Sequence, residues 1–385
     1  MTVRYVRVKP DTSALFSPAA RSYGTIAIVG AVTPPTNPPA DIAPPNEAIL
    51  FTNPDDALRR CPGDLGTAIA LAFRQTPGPS VVYGVRTSGT DWAAALLKLK
   101  SLAVQIVALA NTPLNTASGA AGSSTAPAGA IRQLVDHVTD VSNNGSDGLE
   151  RIGVAMLATN ETDPAIVAGA LVSDRMVYIA HKSAQDAAAA VAGVIAGYAP
   201  SISLLLKPVS IDSDLFTASE IDTINGGPEG EFDGPPAGKG VIWLTHPALI
   251  PGSGSYLGEG YTGYVGLPAG GVKFIDQRRT IDDVSFRLKA QLIASIGTVR
   301  ISRSGLRALT AQMEAVLDPL VSDNVLEGYK VIIPLLGLLD KNPDTLTPSE
   351  TRQISNAHAN RVVVVTVEIQ YGGAIHRLAI KLNFS

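Results

Sequence analysis

The chain of 385 residues has one cysteine, few aromatic residues and no long apolar segment. Cys61 alone can form neither an intramolecular disulfide nor a metal site built from several cysteines. No apolar run approaches the roughly 18 residues that a membrane-spanning helix needs, and the charged start MTVRYVRVKP lacks the apolar centre of a secretory signal. We therefore expect a soluble protein without direct membrane insertion, made in a reducing compartment or indifferent to redox state.

An excess of positive charge is also absent. The formal net charge is −4, and lysine and arginine form no run longer than the doublets Arg59-Arg60 and Arg278-Arg279. Proteins that bind nucleic acid usually carry a basic patch, so nucleic acid is not an expected partner. The hydrophobic fraction of 45% is enough for a sizeable core, and the length predicts two domains or one large domain with an insertion.

Signatures of catalysis are missing as well. The stretch GPPAGKG at 234–240 has the wrong spacing and ending for a phosphate loop, and the residues around Ser295 lack the first glycine of a nucleophile elbow. No two histidines stand at metal-ligand spacing; the five are His137, His181, His246, His358 and His376. We expect no enzyme activity, no metal and no cofactor.

Two features have both a catalytic and a structural interpretation. His181 and His246 each end a predicted strand, where an α/β enzyme carries its site, but a strand-end histidine is more often bonded to backbone. The carboxylate pairs Asp55-Asp56 and Asp282-Asp283 are interpreted as charges at helix N-termini, where the helix dipole favours them.

What the chain does contain is an alternation of short apolar runs with helix patterns. Residues 25–32 form a continuous apolar run and residues 104–111 a mainly apolar one, and both are typical of strands buried on both faces. Helices are predicted at about 65–74, 91–99, 128–141 and 183–198, and another around 164–173. This order predicts a mixed α/β fold with a mostly parallel sheet covered on both faces.

The pattern changes near residue 240, after a loop rich in glycine, proline and acidic residues. A strand at 271–280, a helix at 281–295, a strand at 297–303 and a helix at 304–318 are predicted next. We expect an N-terminal arm and linker at 1–22, an α/β domain at 23–240, a second domain at 241–371 and a C-terminal arm at 372–385.

Both ends have strand patterns. From Leu378 onward apolar residues occupy every second position (Leu378, Ile380, Leu382, Phe384), which is the period of a half-buried strand. Residues 2–9 are also rich in strand-forming residues and precede a polar tether. The residues leave two readings open: a C-terminal hairpin folded onto its own domain, or strands paired with neighbouring chains.

The order of segments in both halves resembles contractile tail sheath proteins. Two stretches are similar to the C-terminal domain of that family. The first runs from RRTIDDVSFRLKAQLIASIG to GYKVIIP, and the second is RVVVVTVEIQYGGAIHRLAIKLNFS. GTIAIVGAV, AILFTNPDDALRRC and LGTAIALAFRQTPGPSVVYGVR are similar to its opening. These segments cover about 200 of the 385 residues, and the compact middle suggests a minimal sheath.

The resemblance implies sheath domains with extended terminal strand arms, in a subunit that stacks as hexameric rings around an inner tube. It also implies contraction that drives the tube through a target envelope, with baseplate and tail-terminator partners. The expected location is a virion tail or phage-tail-like particle assembled in the host cytoplasm. The alternatives are another tail or shell component and an α/β enzyme with an unrecognised site.

The same resemblance assigns roles to residues. Strands exchanged between subunits would contain Val3, Tyr5, Val6, Val8, His376, Arg377, Leu378, Ile380, Leu382 and Phe384. The receiving strand, at 362–370, would use Val363, Val365, Val367 and Ile369, with a hinge at Gly372 and Gly373. Arg287, Lys289, Arg307 and Glu314 are candidates to face the tube, although a solvated helix face also explains each of them.

Overall fold

The computed structural model describes residues 22–122, 128–145, 148–227, 238–250, 254–266 and 271–376. The chain forms two compact units. The large unit contains Ser22–Asp282 and the chain from Gly373 onward, and the small unit contains Asp283–Gly372.

The large unit is built on a nine-stranded mixed sheet. Its spatial order is β2-β3-β1-β4-β5-β6-β8-β9-β7. The strands are β1 (Ile26–Gly30), β2 (Ala48–Phe51), β3 (Val82–Arg86), β4 (Ile106–Leu109), β5 (Ile152–Met156), β6 (Met176–Ala180), β7 (Pro208–Val209), β8 (Val241–Thr245) and β9 (Ser255–Leu257). From β3 to β8 every neighbouring pair is parallel, whereas β2, β9 and β7 join antiparallel.

Helices cover both faces of this sheet, which confirms the predicted fold class. They are α1 (Pro54–Arg60), α2 (Asp64–Phe73), α3 (Trp92–Leu97), α4 (Ala130–Asn144), α5 (Ala187–Gly197) and α6 (Ala218–Ile224). One apolar cluster contains α2 and α5 residues, and the other contains α3 and α4 residues. The central strands β1, β4, β5 and β6 are buried throughout, because apolar side chains on both faces meet helices.

The small unit packs helices against a two-stranded antiparallel sheet. Its elements are the last part of α7 (Ile275–Leu292), then α8 (Arg303–Ser322), β10 (Leu326–Ile332), α9 (Pro334–Asp340), α10 (Pro348–Asn360) and β11 (Thr366–Tyr371). Buried side chains of α8, including Met313 and Leu317, contact the inner face of the sheet. α10 has no buried residue and therefore no apolar stripe from which a helix could be predicted.

The units divide after Asp282, about forty residues beyond the predicted boundary at 240. The reason lies in the pairing of the strands that follow that boundary. β8 pairs parallel with β6, and β9 pairs antiparallel with β8 and β7. Residues 241–282 therefore complete the large unit.

The predicted strands at 271–280 and 297–303 are wrong. Residues 275–292 form α7, and its buried residues are Ile275, Asp276, Arg279, Thr280, Asp282 and Val284. Because four of these six are polar or charged, the buried stripe has no apolar signature. Residues 297–302 form a turn from Gly297 (φ 83°) to Ser302, whose hydroxyl accepts from Gly305 N and caps α8, which begins at Arg303.

The structure also differs from the predicted helix around 164–173 and from the predicted position of Asp282 and Asp283 at a helix N-terminus. The predicted helix around 164–173 is a pair of short 3₁₀ turns, at Pro164–Ile166 and Gly169–Leu171. Asp282 and Asp283 lie in the middle of α7 and are not N-terminal charges. Asp55 and Asp56 do lie in the first turn of α1, which Asn53 caps, as predicted.

Candidate assembly surface

The sheet of the small unit is the first feature with the form of an assembly site. β10 and β11 pair antiparallel from Leu326↔Tyr371 to Ile332↔Thr366, with a bulge between Leu326 and Gly328. In the part of the chain that the structure describes, this sheet has only these two strands. Each strand therefore leaves one edge unpaired there, and unpaired edges are templates for strand addition.

The segment before β11 extends one of these edges. Arg361 ends α10 in the left-handed conformation (φ 55°), and residues 362–365 then continue toward β11 without belonging to a strand. No backbone–backbone hydrogen bond joins residues 362–365 to any other described residue. An exposed backbone of this kind has donors and acceptors free for another chain.

The side chains of this segment alternate between two faces. Val363, Val365 and Val367 pack into the core of the small unit, whereas Val362 is 59% exposed and Val364 67% exposed. The predicted receiving strand at 362–370 thus starts later than expected, at Thr366. Three of the four predicted receiving side chains face inward, so an added strand would contact the backbone edge and not these side chains. Ile369, the fourth, is 39% exposed.

The predicted hinge lies at the boundary of the two units. β11 ends at Tyr371, and the boundary falls between Gly372 and Gly373. Residues 372–376 belong to no strand, so the closing hairpin does not form within the described residues. Neither glycine has a positive φ, and their role as a hinge remains a prediction.

His376 lies on the large unit of its own chain. Its Nδ1 is 3.1 Å from Glu259 Oε2, and its Nε2 is 2.8 Å from Ser203 Oγ. The imidazole ring also meets Phe274 edge-on, with ring centroids 4.8 Å apart. Glu259 and Ser203 had no signal in the sequence analysis, because they are separated from His376 by 117 and 173 positions.

The other exchange residues cannot be placed. Val3, Tyr5, Val6, Val8, Arg377, Leu378, Ile380, Leu382 and Phe384 lie outside the described residues.

The candidates for tube contact are on α7 and α8. Arg287 Nε donates to Asp283 Oδ2 at 2.8 Å, one turn earlier on α7. Arg307 donates to Asp340 Oδ1 at 3.1 Å, and its side chain is 65% exposed. Lys289 and Glu314 are exposed. These contacts neither select nor exclude a partner.

The two strand-end histidines have hydrogen-bond partners within the large unit. His181 is buried; Nδ1 is 3.1 Å from Ser183 O, and Nε2 is 3.1 Å from Leu157 O. This agrees with the interpretation of a strand-end histidine bonded to backbone. His246 differs from that interpretation, because its Nε2 lies 3.1 Å from a side-chain atom, Ser255 Oγ.

A cavity of about 690 Å³ lies on the large unit beside α1 and α2. Asp186, one of its lining residues, accepts from Asn111 N at 2.7 Å and from Ala189 N at 2.9 Å. Burial raises the pKa of the Asp186 carboxyl. The carboxylate is the N-cap of α5, which explains why a buried acid lies at this cavity.

Two other kinds of site, a metal centre and a membrane-spanning helix, are absent from the described residues. No group of three or more histidine, cysteine, aspartate and glutamate side chains there is arranged to hold a metal ion. No helix among them is both long and apolar enough to cross a membrane.

The sequence matches no family model and no curated protein. The structure does have similar solved structures. The helical sheath of the anti-feeding prophage in its contracted state matches with a TM-score of 0.65 and 14% identity, over 100% of both chains. The anti-feeding prophage baseplate matches with a TM-score of 0.62 and 14% identity, over 100% of this chain and 99% of that chain.

A bacterial protein extends the comparison. The sheath tail protein of Listeria innocua matches with a TM-score of 0.55 and 10% identity, over 82% of this chain and 89% of that chain. At such identities the similarity concerns the fold. The chain has the fold of contractile tail sheath proteins.

Proposed function

We propose that the chain is a structural subunit of a contractile tail sheath, in a virion tail or phage-tail-like particle. The observation that carries this proposal is the match over the whole length of both chains to a helical sheath in its contracted state. Subunits stack as hexameric rings around an inner tube, and contraction of the sheath drives the tube through a target envelope. The tube protein, the baseplate and a tail terminator are the proposed partners.

The two-stranded sheet of the small unit supports a joint between subunits. Within the described residues, each strand of this sheet has one unpaired edge, and residues 362–365 form no backbone–backbone hydrogen bond. Both features support the addition of strands from neighbouring chains. Each added hydrogen bond contributes about 0.5–1.5 kcal/mol net, so roughly six to eight bonds give several kcal/mol per joint. We propose that residues 3–8 and 378–384 are the strands that add to these edges.

Electron microscopy of the purified protein tests the assembly. We expect hollow cylinders built from stacked rings. Deletion of Leu378–Ser385 should abolish them and leave a folded subunit with an unchanged circular dichroism spectrum. If the truncated chain unfolds, the last strand belongs to its own core and the exchange is wrong.

A matched pair of substitutions tests whether assembly needs the backbone pairing of this strand or only the presence of its residues. Ile380→Pro removes a backbone donor in the proposed strand, whereas Ile380→Val keeps the donor and the strand propensity. We expect cylinders from the valine variant and few or none from the proline variant. Equal assembly by both would contradict pairing through this segment.

A second candidate is a sheath-like component of a baseplate, because the baseplate match is nearly as good as the sheath match. The two candidate functions predict assemblies with different numbers of rings. A sheath subunit forms cylinders of many rings, and a baseplate component stops at a single ring or small complex. Cylinder length measured by electron microscopy distinguishes them.

A further inference from the structure

The chain from Gly373 onward belongs to the large unit. Among its described residues, 373–376, the side chain that contacts the rest of the unit is that of His376. His376 contacts Glu259 through Nδ1 and Ser203 through Nε2, so both ring nitrogens are engaged. The contact is largely shielded from solvent, since the side chains of His376 and Glu259 are 11% and 7% exposed. A charge-assisted hydrogen bond is stronger in such surroundings than at an open surface.

The partners of His376 belong to well-packed parts of the large unit. Phe274, which meets the imidazole ring edge-on, also packs against Tyr261 in a tilted arrangement, with ring centroids 5.7 Å apart. Tyr261 is buried in the apolar cluster that covers one face of the large sheet. His376 therefore touches the core of the large unit, whereas its neighbour Ile375 is 79% exposed and contributes no comparable hold.

The three side chains Ser203, His376 and Glu259 have the atom order of a nucleophilic triad. Two observations favour an anchor over a nucleophile. Ser203 Oγ already accepts a hydrogen bond from Leu205 N at 3.3 Å. The histidine is also supplied by the segment that leads directly into the C-terminal arm, so any movement of the arm would dismantle the arrangement.

We propose that this contact is a releasable anchor that sets the free length of the C-terminal arm; the proposal rests on the sheath function above. With His376 bound, the arm leaves the large unit after residue 376. Release of His376 adds residues 373–376 to the reach of the arm, which is about 13 Å at 3.3–3.6 Å per residue.

The length that the arm gains when His376 is released would serve the contraction of the sheath. Subunits that contract must move relative to each other while the strand that joins them stays paired. A short arm restricts which neighbouring edge the strand can reach, and a lengthened arm lets the joint survive the movement. The bound and released states of His376 are the two states of such an element.

Trypsin provides a direct assay, because Arg377 follows His376. In unassembled subunits separated by size exclusion, the rate of cleavage after Arg377 is followed by mass spectrometry of the released peptide LAIKLNFS and its fragment LAIK. We expect His376→Ala and Glu259→Gln to raise this rate by about tenfold or more. The control His358→Ala changes an exposed histidine on α10 and should leave the rate unchanged.

The same variants distinguish a loss of the anchor from a loss of folding or of assembly. Glu259→Gln preserves side-chain size, so it remains informative if His376→Ala is unstable; thermal unfolding verifies each variant. Anchor variants should still form cylinders, because the exchanged strand is intact. Failure of the wild-type protein to form cylinders would overturn the sheath function without affecting the cleavage result.

Two outcomes overturn the anchor. One is cleavage after Arg377 at rates within about twofold for the wild type and both anchor variants, well below the expected change. The other is covalent labelling of Ser203 by a fluorophosphonate probe, abolished by His376→Ala, which would assign the three side chains to catalysis.

Discussion

Arg175 and Asp282 form a buried two-pronged ion pair in the large unit. Arg175 Nη1 lies 2.8 Å from Asp282 Oδ2, and Nη2 lies 3.1 Å from Oδ1. Arg278 donates to Asp282 Oδ1 at 2.8 Å and to Asp174 Oδ2 at 3.2 Å. The network holds α7 to the chain around β6, and Asp282 is the last residue of the large unit before the chain enters the small one.

Loss of Asp282 should destabilise the large unit strongly. Asp282→Ala leaves two buried guanidinium groups without their shared carboxylate, and breaking a buried pair in this way costs about 3–5 kcal/mol. Asp283→Ala, at the adjacent position, is the comparison, because the described partner of Asp283 is a single arginine, Arg287, whose side chain is 33% exposed. We expect a smaller loss from this variant than from Asp282→Ala. Urea unfolding measures both; equal losses would contradict a special role for the buried network.

Stability of the large unit should fall between pH 7.5 and 5 because of His137. Burial, and then the neighbouring Arg151 guanidinium, lower the pKa of His137 to about 4. Arg151 lies 3.2 Å from His137 Nε2 and can only donate, so this nitrogen must accept and the ring must be neutral. Protonation is therefore easier in the unfolded chain, where the pKa is near its ordinary 6.5.

The sign follows from proton binding. Below pH 6.5 the unfolded chain takes up a proton that the folded chain does not, so the free energy of unfolding decreases as the pH falls. We expect a loss of about 2 kcal/mol at pH 5 relative to pH 7.5. His137→Gln should flatten the dependence, while His358→Gln should leave it unchanged. Some slope will remain, because burial also lowers the pKa of His181.

Substitution of Val364 should separate assembly from folding. Its backbone forms no hydrogen bond with another described residue, and its side chain is 67% exposed. Val364→Pro removes the N–H that an added strand would use, and Val364→Thr keeps it. We expect both variants to fold with similar thermal midpoints and only the threonine variant to form cylinders. Cylinders from the proline variant would place the joint elsewhere.

Cys61 should be unreactive in the native protein. The side chain is completely buried, and burial raises the pKa of its thiol to about 11. The thiolate is the reactive form, so Ellman's reagent should react with native protein at least about a hundredfold more slowly than with protein in guanidinium chloride. Rapid reaction of native protein would show that α1 opens readily. An inert native thiol also makes the chain suitable for labelling at engineered cysteines.

The sequence by itself determined the α/β core. The apolar runs at 25–32 and 104–111 predict buried strands, and the structure places β1 and β4 within them. The helix predicted at 65–74 is α2. These elements are predictable because a buried strand needs uninterrupted apolar residues and a covering helix needs an apolar stripe, and both requirements are local.

Only the tertiary structure decided the features that depend on distant partners. α7 was predicted as a strand followed by a helix because its buried stripe is charged, and the arginine that makes this burial possible lies 107 positions away. His376 looked like the first residue of an exchanged strand, yet its partners, Ser203 and Glu259, are 173 and 117 positions distant. A polar side chain can be buried only where folding brings its counterpart, and local sequence carries no record of which residue that is.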